Sequence, residues 1–226
     1  SELDPPYAFF EGSIYFLAYT RESGVELWRS DGSAEGTRQV KDINPGPSDG
    51  FVEAYDFFDA YRAHFTVLDD RLFFIASDGR HGFELWRTDG TAAGTAMVSD
   101  LVPGEAGLFD SISKADGCDP RSPPTATLEG YLYFVSCRID EDLNLVSDLW
   151  SSDGTAAGTR LLESGIGGSI AVLDGGLYFT RGELNGWRPE LRRRDINSLD
   201  STLVAKLDGG IGGLHAFADG LLMTVW

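Results

Sequence analysis

The sequence predicts an all-β fold, a β-propeller of four-stranded antiparallel blades with four recognisable blades and a partial fifth. Three observations lead there. One segment recurs nearly unchanged, as Glu26-Leu27-Trp28-Arg29-Ser30-Asp31-Gly32, Glu84-Leu85-Trp86-Arg87-Thr88-Asp89-Gly90 and Asp148-Leu149-Trp150-Ser151-Ser152-Asp153-Gly154, with a worn copy at Glu190-Leu191-Arg192-Arg193-Arg194-Asp195. A short, densely aromatic run precedes each copy, and helix signals are almost absent. Repetition on this scale marks an array of equivalent units. Four antiparallel strands per unit, apolar on both faces, describe a propeller blade. A β-sandwich is the competing architecture, but it gives no reason for near-identical third strands.

The units fall at 7–43, 65–101, 125–163 and 169–208, with a partial one at 215–226, inside a single domain spanning 1–226. Strand A of each is apolar, at 7–10, 65–68, 126–128 and 170–173. A two-residue turn follows, Glu11-Gly12, Asp69-Asp70, Glu129-Gly130 or Asp174-Gly175. Such residues supply the positive φ or the local side-chain cap that tight hairpins need. Strand B is aromatic, at 14–17, 72–75, 132–135 and 177–179, and its continuous apolar character points to burial on both faces. Strand C holds the Glu-Leu-Trp motif, and strand D follows at 38–41, 96–99, 160–162 and 202–205. The glycine-rich stretches 165–168 and 209–213 read as compact connectors between strands D and A. The fifth unit shows only strands A and B. The expectation is a fragment of a longer propeller, a ring completed by another chain, or a ring closed on a stunted blade.

The chain has 226 residues, 42% of them hydrophobic and 12% aromatic, enough for a proper core. A formal charge of −18 repels nucleic acid and anionic membranes, and no apolar run approaches membrane-spanning length. Cys118 and Cys137 are expected to pair if the protein is exported. The sequence begins without Met, as a processed secreted, periplasmic or cell-surface protein would.

The Glu-Leu-Trp-x-x-Asp-Gly-Thr motif resembles that of the ELWxxDGT-repeat proteins, a family of secreted bacterial propeller-like proteins. The resemblance runs from Tyr7 to about Asp208. It implies the fold and an extracellular setting, and no activity. The fourth copy departs from the pattern, with Arg192 in place of Trp and residues 196–201 in place of the Gly-Thr-x-x-Gly-Thr ending.

Asp31, Asp89 and Asp153 recur at one position, next to Ser or Thr. They could offer oxygens to calcium, but each turn supplies too few for its usual shell of six or more. The favoured reading is a hairpin in which Asp and Thr side chains bond turn amides and Gly takes a left-handed conformation. Trp28, Trp86 and Trp150 could form sugar-stacking platforms. The favoured reading has them wedge between blades, with the indole nitrogen bonded to a backbone oxygen. Glu84 with Arg87, and Glu26 with Arg29, are expected as ion pairs between blades.

Copies differ most in the B–C loops and D-to-A connectors, which open on one face of a propeller. Ordered loops on a rigid scaffold are where binding residues concentrate. Tyr55, Phe57, Tyr61, Arg80, His81, Asp140, Asp142 and Trp187 are therefore the candidate contacts for a partner. The alternative is that the connector aromatics, Phe51 among them, fold down over the channel mouth. Catalytic signatures are weak. His64, His81 and His215 have no metal-ligand spacing, and no nucleophile elbow or phosphate loop occurs. Asp140, Glu141, Asp142 and Asp148 are thin support for glycoside cleavage. The leading expectation is a non-catalytic extracellular binding or scaffold module, a subunit or fragment of a larger assembly. It has no cofactor, and contacts a protein partner or propeller strands from another chain. The runner-up is a lectin-like carbohydrate-binding propeller, and a glycoside hydrolase comes third.

Overall fold

In the computed structural model, residues 7–51, 63–104, 107–108, 124–139, 145–182, 189–195, 198, 200–208, 211–217 and 220–225 are described. Among them the chain is all-β, without a helix, and its strands form several antiparallel sheets. It divides into two compact units, Ser1–Ile112 with Asp119–Ser122, and Ser113–Cys118 with Pro123–Trp226.

The first unit holds two four-stranded sheets in sequence order. One contains β1 (Tyr7–Phe10), β2 (Ser13–Thr20), β3 (Gly24–Ser30) and β4 (Arg38–Lys41). The other contains β5 (Thr66–Leu68), β6 (Arg71–Ser77), β7 (Phe83–Thr88) and β8 (Ala96–Met97). Hairpin geometry is set at the A–B turns. Glu11 and Gly12 sit at φ 48° and 70°, and Glu129 with Gly130 and Asp174 with Gly175 repeat the pair. Two successive positive φ values match the twist of the flanking strands, so these turns tolerate a non-glycine residue only at a cost the hairpin repays. The core of this unit lies between its sheets. Phe10, Tyr15, Leu17, Leu27 and Val40 of the first pack with Leu72, Phe74, Ala76 and Trp86 of the second. Burying a side chain such as Phe74, 1% exposed, contributes roughly 2–3 kcal/mol.

The second unit departs from separate four-stranded blades. β9 (Thr125–Leu128), β10 (Tyr131–Ile139), β11 (Leu145–Ser152), β12 (Arg160–Leu173), β13 (Gly176–Arg181), β14 (Glu190–Asp195) and β15 (Thr202–Lys206) form one seven-stranded sheet. The stretch 165–168, expected as a connector, lies inside β12. That strand pairs with β11 through Ile166↔Ser147 and with β13 through Ile170↔Phe179. No insertion separates strand D of the third repeat from strand A of the fourth. Gly165 at φ 71° and Gly168 at φ 76° let one strand change partners, with a register shift between Ile166 and Ile170. The hairpin of β16 (Ile211–Phe217) and β17 (Gly220–Val225) packs on this sheet through Leu214, Leu221 and Met223.

Arg192 does not break β14. Its guanidinium donates to Ser201 Oγ (2.9 Å), the Ser201 carbonyl (3.0 Å) and Glu190 (2.7 Å), satisfying the charge where Trp stands in the other copies.

Candidate functional site

The Asp-Gly-Thr turns are built from their own side chains. Asp31 Oδ1 accepts the Ser33 amide (2.9 Å) and hydroxyl (2.7 Å), and the Gly36 amide donates to Ser33 Oγ (2.9 Å). Asp89 with Thr91 and Gly94, and Asp153 with Thr155 and Gly158, repeat this at the same distances within 0.1 Å. A Cβ on Gly36, Gly94 or Gly158 would collide with the Asp carboxylate, so the second glycine of the motif is required by contact. Gly32, Gly90 and Gly154 take φ of 90°, 85° and 83°. The hydroxyl and amide bonds from Ser33 and Thr91 hold Asp31 and Asp89 below the usual carboxylate range. Among the described residues no group of three or more His, Cys, Asp or Glu side chains is placed to hold a metal ion.

The tryptophans differ from the expectation. Trp150 donates its indole N–H to Ser136 Oγ at 2.9 Å, a side chain one strand away in its own sheet, not a backbone oxygen. Trp28 and Trp86 have buried indole nitrogens without a hydrogen-bond partner. The cause is local. Ala18 and Ala76 occupy the strand B position that Ser136 fills in the third copy. Trp86 does lie between two sheets, with Lys41 Nζ 5.8 Å from its ring centroid.

At the opposite end of the strands, the expected Glu–Arg pairs are absent among the described residues. Glu26 and Glu84 are both 0% exposed. Glu26 Oε1 accepts the Asn44 amide at 3.0 Å, and Glu84 accepts the amides of Leu101 and Val102, each at 3.3 Å. Arg29 turns the other way, donating to Ser13 Oγ (2.8 Å) and the Gly90 carbonyl (3.2 Å). The physical reason is that a carboxyl buried mid-strand can reach connector amides, while a guanidinium three residues on points to the opposite face. Burial pushes Glu26 up from 4.5 to about 7 and Glu84 up to about 8. The connector amides oppose the shift, and nearby Asp42 and Asp49, or Asp100, add to it.

These carboxyls fasten the D-to-A connectors to strand C. The Val25 amide donates to Asp49 Oδ1 (2.6 Å), the Gly50 amide to the Val25 carbonyl (3.0 Å) and the Ser77 amide to the Gly50 carbonyl (2.9 Å). A Cβ on Gly50 would stand 2.7 Å from Glu26 Oε1. The second repeat does the same, with Phe83 bridged to Gly107 and accepting the Leu108 amide at 2.9 Å. Phe51 turns inward, 3% exposed and 5.6 Å from the Phe74 ring, within the core of the first unit. The third copy replaces the arrangement. Asp148, 2% exposed, takes Arg138 Nε at 2.7 Å and the Ser164 hydroxyl at 2.5 Å, which gives it a structural place.

Of the candidate contacts, Arg80 and His81 are described. They sit on the β6–β7 loop, whose turn is shaped by Asp78. Its Oδ1 accepts the Arg80 (3.0 Å) and His81 (3.1 Å) amides, and its Oδ2 lies 2.8 Å from His81 Nδ1. Burial opposes its charge, but the bonds from His81 and the two amides outweigh it and hold Asp78 below its usual range. Arg80 is exposed at the tip. Tyr55, Phe57, Tyr61, Asp140, Asp142, Trp187 and Cys118 lie outside the described residues. Cys137 is 4% exposed, not a free thiol, with Sγ 3.7 Å from Ser147 Oγ.

The buried glutamates were missed as a feature of the loop end. Their signal was available, an acid recurring directly before a leucine at the head of every copy.

No protein-family model and no curated protein matches the sequence. Solved structures similar to the chain include a nidogen/laminin complex, at 12% identity and TM-score 0.44, covering 97% of this chain and 71% of that one. A puromycin hydrolase S511A mutant is 11% identical with a TM-score of 0.49, covering 96% of this chain and 35% of its own length. A structure of prolyl endopeptidases is 8% identical with a TM-score of 0.48, covering 97% and 32%. The chain thus spans about a third of each of these two hydrolases, and likenesses this distant assign it no function.

Proposed function

We propose that the chain is a non-catalytic extracellular binding or scaffold module. Its sheets are propeller blades of the ELWxxDGT type, and its partner, a protein, is met by the B–C loops and D-to-A connectors. The reading includes a Cys118–Cys137 disulfide and a secreted, periplasmic or cell-surface location. One observation supports it above the others. At the loop end, Glu26 and Glu84 fix the connector backbone from below, while the tips above them change from copy to copy, as at Arg80. A fastened base, shared by the first two repeats, under variable tips is the construction of a recognition surface.

No helix among the described residues is long and apolar enough to cross a membrane. The carboxylate that the hydrolase reading shared with the described residues, Asp148, is already committed to Arg138 and Ser164.

The test places a photo-crosslinking residue at Arg80, on the loop end, or at Asp31, on the Asp-Gly-Thr end, in the chain as exported by a host cell. Adducts of one defined mass at position 80 and none at position 31 are the expected result. Equal labelling at both ends, or turnover of a polysaccharide panel abolished by Asp140→Asn with Asp142→Asn, overturns the reading. Retention on a glycan array through the same loops favours the lectin alternative instead.

A further inference from the structure

The first sheet has two unlike faces. Phe10, Tyr15, Leu17 and Leu27 point to one side, and Tyr7, Phe9, Phe16 and Trp28 to the other, as the pairs Tyr7↔Phe16, Phe9↔Ile14 and Phe16↔Trp28 require. Within the first unit, unlike faces meet. The tyrosine side of the first sheet covers the tryptophan side of the second, burying Leu72 (0% exposed), Phe74 (1%) and Trp86 (5%). The seal includes polar contacts. Arg29 donates to the Gly90 carbonyl, Lys41 Nζ donates to the Thr95 carbonyl at 2.7 Å, and the Tyr15 hydroxyl fills the space above Gly90.

The corresponding side of the first sheet is open. Phe9 is 69% exposed and Tyr7 42%, and Phe16 and Trp28 are only half-buried. A Cβ on Gly32, the counterpart of Gly90, meets nothing within 4 Å.

A complementary open face exists on the β16–β17 hairpin. Phe217↔Gly220 matches Phe10↔Ser13, so Phe217 and Leu222 stand where Phe10 and Tyr15 stand in the first repeat. Phe10 and Tyr15 are 5% and 0% exposed, whereas Phe217 and Leu222 are 60% and 51% exposed. The hairpin's other face is already occupied, by the packing of Leu214, Leu221 and Met223.

We propose that the Tyr7, Phe9, Phe16 and Trp28 face is a docking surface for the Phe217 and Leu222 face of a second copy of this chain. The occupant is specified by the interface already present in the first unit, where the same two kinds of face are joined. This surface is a sheet face, distinct from the loop end, and the inference stands whether or not the loops bind a partner. Joining unlike faces is a head-to-tail contact, which builds rings or open chains. Each copy carries a charge of −18, so self-association strengthens as salt screens the repulsion.

Sedimentation equilibrium of the 226-residue chain tests this, with Phe9→Asp and Leu222→Asp as separate variants. Both side chains are more than half exposed, so the fold tolerates the changes. The wild type is expected to gain mass between about 1 and 100 µM, and more so at high salt. Either variant alone loses association about tenfold or more, each added carboxylate costing over 1.4 kcal/mol at the contact. An equimolar mixture of the two forms a heterodimer and grows no further, because each variant retains one intact face. A wild type that stays monomeric throughout overturns the proposal. So does a mixture of folded variants that stays monomeric, or association that survives both substitutions. Phe9→Ser and Leu222→Ser repeat the experiment if either aspartate variant loses its near-ultraviolet circular dichroism.

Discussion

Replacing Glu26 with Gln is expected to make the protein more stable in alkaline solution. The carboxyl is fully buried, accepts one amide through Oε1 at 3.0 Å, and leaves Oε2 buried without a partner. Gln keeps the accepting oxygen and removes the charge. The sign follows from linkage. Unfolded, Glu26 loses its proton near 4.5, but folded it holds it to about 7. Below 4.5 both states are protonated and the wild type loses nothing. Between 4.5 and 7 the unfolded chain alone releases the proton, and stability falls by about 1.4 kcal/mol per pH unit. The ceiling for this residue is roughly 3 kcal/mol, reached above pH 8. Tyr15 and Tyr133, raised above 10.0 chiefly by burial, act at higher pH, and the lowered Asp31, Asp78 and Asp89 act at lower pH. Glu26 and Glu84, at about 7 and about 8, both titrate inside the window from pH 5 to 9. Urea unfolding at pH 5, 7 and 9 reads the effect, as a midpoint shift at constant slope. The variant should match the wild type within about 1 kcal/mol at pH 5 and exceed it by up to about 3 at pH 9. A wild type whose stability rises from pH 6 to 9, or a variant weaker than it at pH 9, refutes the reasoning.

Other outcomes are open to simple measurement. Gly90→Ala, whose methyl would strike Tyr15 and Arg29 at φ 85°, should cost about 2–4 kcal/mol in thermal or chemical unfolding. Gly32→Ala, at φ 90° in open space, should cost only about 1–2. Ala76→Ser should give the Trp86 indole the hydroxyl that Ser136 gives Trp150, stabilising the protein by about 1 kcal/mol, and an unchanged melting temperature would refute it. Intact mass before and after reduction should show a Cys118–Cys137 bond, and Cys137→Ser should then destabilise the fold by roughly 3 kcal/mol.

Much of the architecture was legible because it is written locally. The repeated motif and the continuous aromatic runs located β1 to β7 within a few residues, and Asp-Gly-Thr announced its own turn chemistry. The errors share a physical origin. Whether residues 165–168 end a strand or continue it depends on what pairs with each edge of β12, which is a non-local matter. The fate of Glu26 was hidden similarly, since a carboxyl beside an arginine in sequence suggests a pair, yet its true partner is an amide in a connector. The missing bonds of Trp28 and Trp86 follow from Ala18 and Ala76, readable only once the cross-strand register is known. Of the candidate loop contacts, the Asp78 turn supporting Arg80 was legible in its Asp-Gly pair. The rest belongs to stretches whose copies share no pattern.

The turn that joins strands C and D satisfies its carboxylate, hydroxyls and amides from within one short stretch of chain. A stretch that makes these bonds to itself can be copied whole. Gene duplication could thus multiply it without compensating changes, and a newborn chain could shape each hairpin before its neighbours had left the ribosome.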